Sequence, residues 1–499
     1  MSDFNGTDPT ALPLFASVGV NGHVDQSARV AHVGPPPPPP PPASSGDRVS
    51  AGAWSAVDWT LLADLRGQAA KRLSTALEHE GRLTREEQRE RGRTIIQELL
   101  TDESQERVTS GQDPWSLPER ETLAQALDNA LFGLGRLQPL IDDDTVENIQ
   151  IAGADRVAVE RIDGRLEDVD PVADDDEELI DFLVFLASRS EVNARPFSEA
   201  HPRLHMRLDG GARLAASAWV TRRPSVVIRR HRLREVGLND LVERGSMPLV
   251  VASFLAAVVR ARKSVVVAGE QGAGKTTLVR ALCSEIDPDE AIGTFETEYE
   301  LHLDELPRER HRFVYAWEAR PGSGEVGPDG RQAGEITLSD LLYDSFRFNL
   351  SRQIVGEVRG GEVVAMVKAM QSGAGSISTT HARSAHSVMN KLITCAMEDN
   401  RPHEWAVTAL TESLDVVVQA SVRDVVDDDG QKRRVRWISE ILAIGPGEDW
   451  DKWSTTTIFS TVPGTQRLVT GVLPDDLREE LIPYGFDADA YYGEAGSAS

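Results

Sequence analysis

The sequence predicts an α/β protein whose carboxy-terminal half is built on a parallel sheet. Three observations carry this. Short β-branched runs, among them Ser264-Val265-Val266-Val267-Ala268, alternate with helical stretches from about residue 246 onward, the signature of parallel strands joined by helices. A glycine-rich loop opens directly after that strand. Upstream, short strands joined by turns give a smaller α+β unit. The expected organisation is a disordered, proline-rich tail over 1–53 and a helical region over 54–140. An α+β domain with arginine-rich strands follows over 141–245, then a P-loop nucleotide-binding domain over 246–465 and a carboxy-terminal tail over 466–499.

At roughly 100–200 residues per domain, 499 residues allow two or three domains plus tails. The net charge of −27 argues against general binding to nucleic acid, whose backbone is itself anionic. With two cysteines, Cys283 and Cys395, neither a disulfide framework nor a four-cysteine zinc site is expected, and both read as small buried residues in a reducing, cytoplasmic compartment. No apolar run reaches the ~18 residues that span a bilayer. Met247 to Val259 comes nearest and reads as a buried helix; the first residues carry acids and no basic region before an apolar core, so no signal peptide is expected.

Pro35 to Pro42 is an unbroken run that forms a polyproline II rod, either a stiff linker or a docking segment for a proline-binding module. Thr84-Arg85-Glu86-Glu87 is a capping box that opens a helix. Val146 to Ile151 and Val157 to Glu160 read as strands, with turns at Gly153 and at Asp163-Gly164. Asp174 to Glu178 fits a first helical turn, where acids complement the helix dipole. Residues 203–234 hold nine arginines (203, 207, 213, 222, 223, 229, 230, 232 and 234) against one acid, Asp209. That segment is either a strand pair with solvated arginines or a polyphosphate site, for which guanidinium forks are suited.

The phosphate-binding pattern is complete at Gly269-Glu270-Gln271-Gly272-Ala273-Gly274-Lys275-Thr276. Glycines let the loop turn its backbone N–H groups inward around phosphate oxygens, and the helix that follows, through Thr277, adds its positive end. Lys275 is placed to reach the β- and γ-phosphates and the Thr276 hydroxyl to ligate magnesium. Glu357 ends the strand Gln353-Ile354-Val355-Gly356, close to where an attacking water would sit, or is a solvated strand-end charge. Thr294 to Glu300 is a second acidic cluster at a strand end, and His381 follows Thr379-Thr380.

Together these segments resemble the secretion ATPase superfamily of type II and type IV secretion and type IV pilus systems, nearest its CpaF/TadA branch. The likeness rests on Ala268 to Leu278, on Phe295-Glu296 with Glu300-Leu301, on Ile354 to Glu362, and on Gly375-Ser376 leading to Thr379-Thr380-His381-Ala382. Arg207 to Arg213 and Val227 to Arg230 resemble the amino-terminal domain of that family. The resemblance implies a RecA-like core and ATP and Mg2+ as cofactors. Glu357 would position the water, and Glu296 and Glu300 would help Thr276 hold the metal. His381 would sense the γ-phosphate, and Arg207, Arg213 and Arg229 would neutralise charge on it; Arg320 matches a further arginine of the pattern. A hexameric ring at the cytoplasmic face of the cell membrane is implied, working on polytopic membrane platform proteins to move pilin-like or secreted cargo, without direct contact with nucleic acid. An ATP-gated scaffold with little hydrolysis and a conjugative DNA-transfer motor are the alternatives. Thr297 stands where the family usually has an aspartate, Leu350-Ser351 where it has Pro-Asp, and Thr380 where it has an aliphatic residue; 322–334 is a glycine-rich insertion.

Overall fold

The computed structural model describes residues 57–497, apart from short stretches at 81–82, 190–196, 209–210, 231–234, 321, 323–326, 328–330, 427–429, 431 and 450–451. The Pro35 to Pro42 reading, Arg232 and Arg234 lie outside the described residues, as does most of the 322–334 insertion.

Three helices come first: α1 (Trp59–Glu80), α2 (Arg85–Thr109) and α3 (Leu117–Phe132). The capping box at Thr84 is present, since its side chain accepts from the Glu87 backbone N–H while the Glu87 carboxylate accepts from the Thr84 N–H. Ser116 and Glu119 repeat the device at the start of α3. Their apolar faces share a core that includes Leu65, Leu99, Leu100 and Leu127.

After a short α4 (Gln138–Asp142), a six-stranded antiparallel sheet forms from β1 (Val146–Ala152), β2 (Val157–Arg161), β3 (Leu166–Val169), β4 (Arg203–Arg207), β5 (Arg213–Ser217) and β6 (Ser225–Arg229). Its order is β3-β2-β1-β6-β5-β4. Alternation puts Ile149, Val159, Leu214 and Ile228 on one face, covered by α5 (Asp176–Arg189), and leaves arginines on the other. Asp176, in the first turn of α5, receives two hydrogen bonds from Arg223, which hold its carboxyl down at about 2.

The second sheet follows α6 (Leu238–Glu243) and α7 (Leu249–Arg260). It holds β7 (Val265–Gly269), β8 (Ala291–Glu296), β9 (Phe313–Glu318), β10 (Arg352–Val358), β11 (Ser376–Thr380), β12 (Val416–Val426), β13 (Lys432–Pro446), β14 (Trp453–Thr461) and β15 (Leu468–Thr470). Its order is β15-β14-β13-β12-β7-β11-β10-β8-β9. The run from β12 to β9 is parallel, and β13 to β15 continue it antiparallel. Val265, Val266, Val267 and Ala268 are buried on both sides, because helices cover both faces. One face carries α7 and α8 (Lys275–Cys283); the other carries α9 (Leu338–Ser345), α10 (Glu362–Gln371), α11 (Val388–Glu398) and α12 (His403–Ser413). The apolar run Met247 to Val259 supplies most of α7 (Leu249–Arg260), a largely buried helix, and both cysteines are free and buried.

The carboxy-terminal segment departs from expectation. Residues 466–499 read as a tail, yet they carry β15, α13 (Asp475–Leu481) and α14 (Ala488–Ser497). Tyr491 is fully buried, edge-on to Phe459, with its hydroxyl donating to the Ile458 carbonyl at 3.0 Å. Leu473, Leu477, Leu481 and Phe486 join the same core as α7. The polar, glycine-containing composition of 485–499 hides this, because only a few apolar residues do the packing.

At the other edge, β9 exposes an aromatic ladder. Phe313 and Tyr315 are half-exposed, Tyr315 stacks on Trp317 at 5.9 Å, and Phe348 packs edge-on to both Tyr315 and Trp317.

Candidate functional site

The candidate residues of the large sheet gather at the carboxyl ends of its parallel strands, where the chain order reverses around β7 and such sheets bind ligands. The loop after β7 wraps toward the start of α8. Gly272 and Gly274 adopt left-handed φ values of 78° and 88°, which side chains disfavour. Lys275 is buried at the helix start, and its Nζ donates to the carbonyls of Gly269 and Glu270, each at 3.1 Å. Burial lowers its pKa to about 8. The charge of Arg229, at the end of β6, pushes the same way, so Arg229 acts on the loop from the other sheet.

His381 meets Lys275 directly, and Glu357 lies beside His381. Lys275 Nζ lies 3.2 Å from His381 Nδ1, and His381 Nε2 lies 2.9 Å from Glu357 Oε1. An ammonium only donates, so Nδ1 is the acceptor and the imidazole proton sits on Nε2; Glu357 Oε1 is close to it but out of line for a hydrogen bond, and among the described residues that oxygen has no hydrogen-bond partner. Burial and the Lys275 charge lower the His381 pKa, which keeps that ring neutral. The second oxygen of Glu357 accepts from Arg359 Nη2 at 2.6 Å, and the pairing raises the Arg359 pKa. Thr379 and Thr380 donate to the carbonyls of Gly356 and Val358, at 2.7 and 2.8 Å, and so lock β11 to β10 beside the site. Thr380 is therefore a strand fastener here.

Glu296, at the end of β8, is buried. One of its oxygens accepts from the backbone N–H groups of Glu300 and Leu301, at 2.7 and 3.0 Å, and the other has no partner. Burial pushes its carboxyl up to about 7, helped by the Glu300 charge. Gly356 makes room for it, since a Cβ there would sit 2.9 Å from Glu296 Cγ. Glu300 accepts from the Thr276 hydroxyl at 2.8 Å and pairs with Arg213.

The arginine-rich segment divides. Arg213, on β5, also donates to the Glu298 carbonyl at 2.7 Å, and Arg207 lies over the Tyr299 ring at 5.2 Å. These two and Arg229 face the large sheet. Arg223 and Arg230 serve the small sheet itself, pairing with Asp155 and Asp176 and with the Asp143 carbonyl. Arg320 is exposed and donates to the Gly334 carbonyl at 2.8 Å, closing the base of the insertion. Glu270 and Gln271 are exposed on the rim, and Thr277 is half-buried on α8.

Two departures from the family pattern find their places. Thr297 is exposed just beyond β8. Ser351 precedes β10, at the end of the strand opposite Glu357, and its N–H holds the Ala291 carbonyl at 2.8 Å. A strand length of about 20 Å therefore separates it from Glu357. Sequence reasoning missed Arg436, on β13, whose Nε donates to the Gly272 carbonyl at 2.8 Å. It is 164 residues from the loop, and no local pattern marks it.

A family model described as type II/IV secretion system protein matches residues 131–446. The chain is 37% identical over 188 residues to the type IV secretion system protein PtlH of Bordetella pertussis, a stretch covering 36% of this chain and 51% of that protein. It is 29% identical over 287 residues to a putative conjugal transfer protein of Mycobacterium tuberculosis, covering 54% and 76%. The chain thus spans about half the length of several curated relatives it matches. Among solved structures, the VirB11 ATPase of the Brucella suis type IV secretion system, in complex with sulphate, is 26% identical, with 61% of this chain and 94% of that one covered and a TM-score of 0.31.

Proposed function

The chain belongs to the type II/IV secretion system protein family, and from that premise we propose that it is an ATPase turning ATP hydrolysis into mechanical work for secretion or pilus assembly. The observation that carries the reading is the close file of Lys275, His381 and Glu357, with neighbouring atoms 3.2 and 2.9 Å apart, at the mouth of a glycine-rich phosphate loop. It joins the group that would hold the β- and γ-phosphates to the carboxylate that would orient water, through one neutral imidazole. Water oriented by Glu357 attacks the γ-phosphorus in line, and Lys275 balances the charge on the leaving oxygens. His381 transmits the arrival of the γ-phosphate to Glu357. Arg207, Arg213 and Arg229 bring positive charge from the small sheet.

Magnesium fits the residues present. The Thr276 hydroxyl, Glu300 and the unpartnered Glu296 oxygen form an all-oxygen set, as a hard cation requires. Among the described residues no three His, Cys, Asp or Glu side chains cluster as a complete metal site, so the remaining positions fall to phosphate oxygens and water. The ion would neutralise phosphate charge; the chain's own part is to hold it and to keep Glu296 ready.

We place the protein in a ring, working on a membrane platform of the tight-adherence type. Among the described residues no helix is long and apolar enough to cross a membrane, so attachment falls to a partner. A conjugative role is the second reading, favoured by the name of the mycobacterial relative, while the net charge of −27 opposes direct contact with DNA. The deciding measurement is phosphate release from ATP and Mg2+ beside nucleotide binding, for the full chain and Glu357→Gln. The proposal expects Glu357→Gln to bind normally and to lose at least about a hundredfold in turnover. Tight binding with no release by the full chain in any assembly state would instead make it an ATP-gated scaffold.

A further inference from the structure

The phosphate loop is held from outside as well as from within. One planar guanidinium, Arg436 of β13, makes two connections at once. Its Nε donates to the Gly272 carbonyl at 2.8 Å, and its Nη2 donates to both carboxylate oxygens of Glu147, at 2.9 and 3.0 Å. Glu147 lies on β1, in the small sheet. Both side chains are mostly shielded from water, with 27% and 19% of their surfaces exposed.

The chemistry of the Gly272–Ala273 peptide gives this contact its meaning. A trans peptide points its carbonyl and its following N–H in opposite directions. With the carbonyl drawn out to Arg436, the Ala273 N–H lies on the opposite side of the peptide and donates within the loop to the Glu270 carbonyl at 3.3 Å, to which Lys275 Nζ also donates. An inward N–H is what such a loop uses to cradle phosphate. Arg436 also lies over the next turn of the loop, since a Cβ on Gly274 would sit 3.7 Å from its Cδ.

We propose that Arg436 is a positioning residue for the phosphate loop, and that Glu147 orients it, so that nucleotide affinity depends on where the small sheet sits. The inference rests on the ATP-binding reading above and adds a dependence that reading does not require. Arg434 supplies an internal control. Two residues before Arg436 on the same strand, it grips the small sheet through Glu160, and its N–H donates to the Asp163 carbonyl at 2.9 Å. Among the described residues, the hydrogen bonds and ion pairs of Arg434 go to Glu160, Asp424 and the Asp163 carbonyl, and none reaches the loop.

The test measures the affinity of a fluorescent ATP analogue and the melting temperature for the full chain and four variants. Arg436→Ala should bind about tenfold more weakly, the weight of one lost charge-assisted hydrogen bond. Glu147→Gln should lose a smaller part. Arg434→Ala should lower the melting temperature and leave affinity unchanged. The pair Glu147→Arg with Arg436→Glu decides the matter, because it restores opposite charges between the sheets while glutamate has no donor for the Gly272 carbonyl. Recovered melting temperature with affinity still weak supports the proposal. Recovered affinity, or unchanged affinity in Arg436→Ala, overturns it and leaves the ATP-binding reading standing. If Arg436→Ala fails to fold, Glu147→Gln and the charge-reversed pair give the same decision. A full chain that does not bind the analogue removes the ATP-binding reading, and this inference with it.

Discussion

Lys275 carries a titration that nucleotide binding should reveal. In the free protein its pKa is lowered to about 8 by burial, and the negative phosphates of a bound nucleotide raise it. The complex therefore holds this proton more tightly than the free protein does. Affinity should be constant below pH 8 and weaken above it, approaching about tenfold per pH unit. A binding profile flat from pH 7 to 9.5 would contradict this. Glu296 gives the opposite kind of record. Its folded pKa is raised from 4.5 to about 7, so between those values the folded state binds more protons than the unfolded one. Stability from this group is highest at low pH, falls as pH rises toward 7, and is level above it. Glu296→Gln should flatten that fall, read as melting temperature between pH 5.5 and 7.5 in buffer without divalent cations. Both residues were legible in the sequence through their motifs. Their pKa shifts were not, because burial is a product of the tertiary packing.

Among the elements, the parallel strands announce themselves by composition. Val265 to Ala268 and Ile354 to Val355 are short and β-branched because both of their faces are covered. The final helix gives no such signal. α14 contains Tyr491, Tyr492, two glycines and acids, and Tyr491 is its fully buried side chain. Tyr491→Ala leaves a cavity against Phe459 and Phe486 and removes one of the two hydrogen bonds on the Ile458 carbonyl, which keeps the Gly471 N–H, for an expected loss of about 3–5 kcal/mol. Chemical denaturation of the variant checks it, and a loss under 1 kcal/mol would show that α14 packs only loosely. A chain ending at 465 should fare worse, since Leu473, Leu477, Leu481 and Phe486 go with it.

For the molecule as a whole, the sequence separated two sheets and could not say how they meet. The nine arginines of 203–234 look alike in a row of letters. In the fold their strand positions sort them: Arg207, Arg213 and Arg229 face the large sheet, while Arg223 and Arg230 secure their own sheet. Glu147 and Arg436, 289 positions apart, form a contact that only the packing of the two sheets creates.

The aromatic ladder on β9 bears on how the protein behaves in a tube. A sheet edge with half-exposed Phe313 and Tyr315 offers free backbone groups and sticky rings to another chain, the arrangement that seeds precipitation. The far edge is blunter, since β15 is three residues long. Against this stands a net charge of −27, which keeps copies apart while the solution is dilute in ions. Salt shortens the reach of that repulsion to about 8 Å at physiological strength and about 3 Å at 1 M. Turbidity should therefore rise with sodium chloride, and Tyr315→Lys should suppress the rise; turbidity indifferent to both would show that this edge is already covered. Storage at low ionic strength then follows from a single strand.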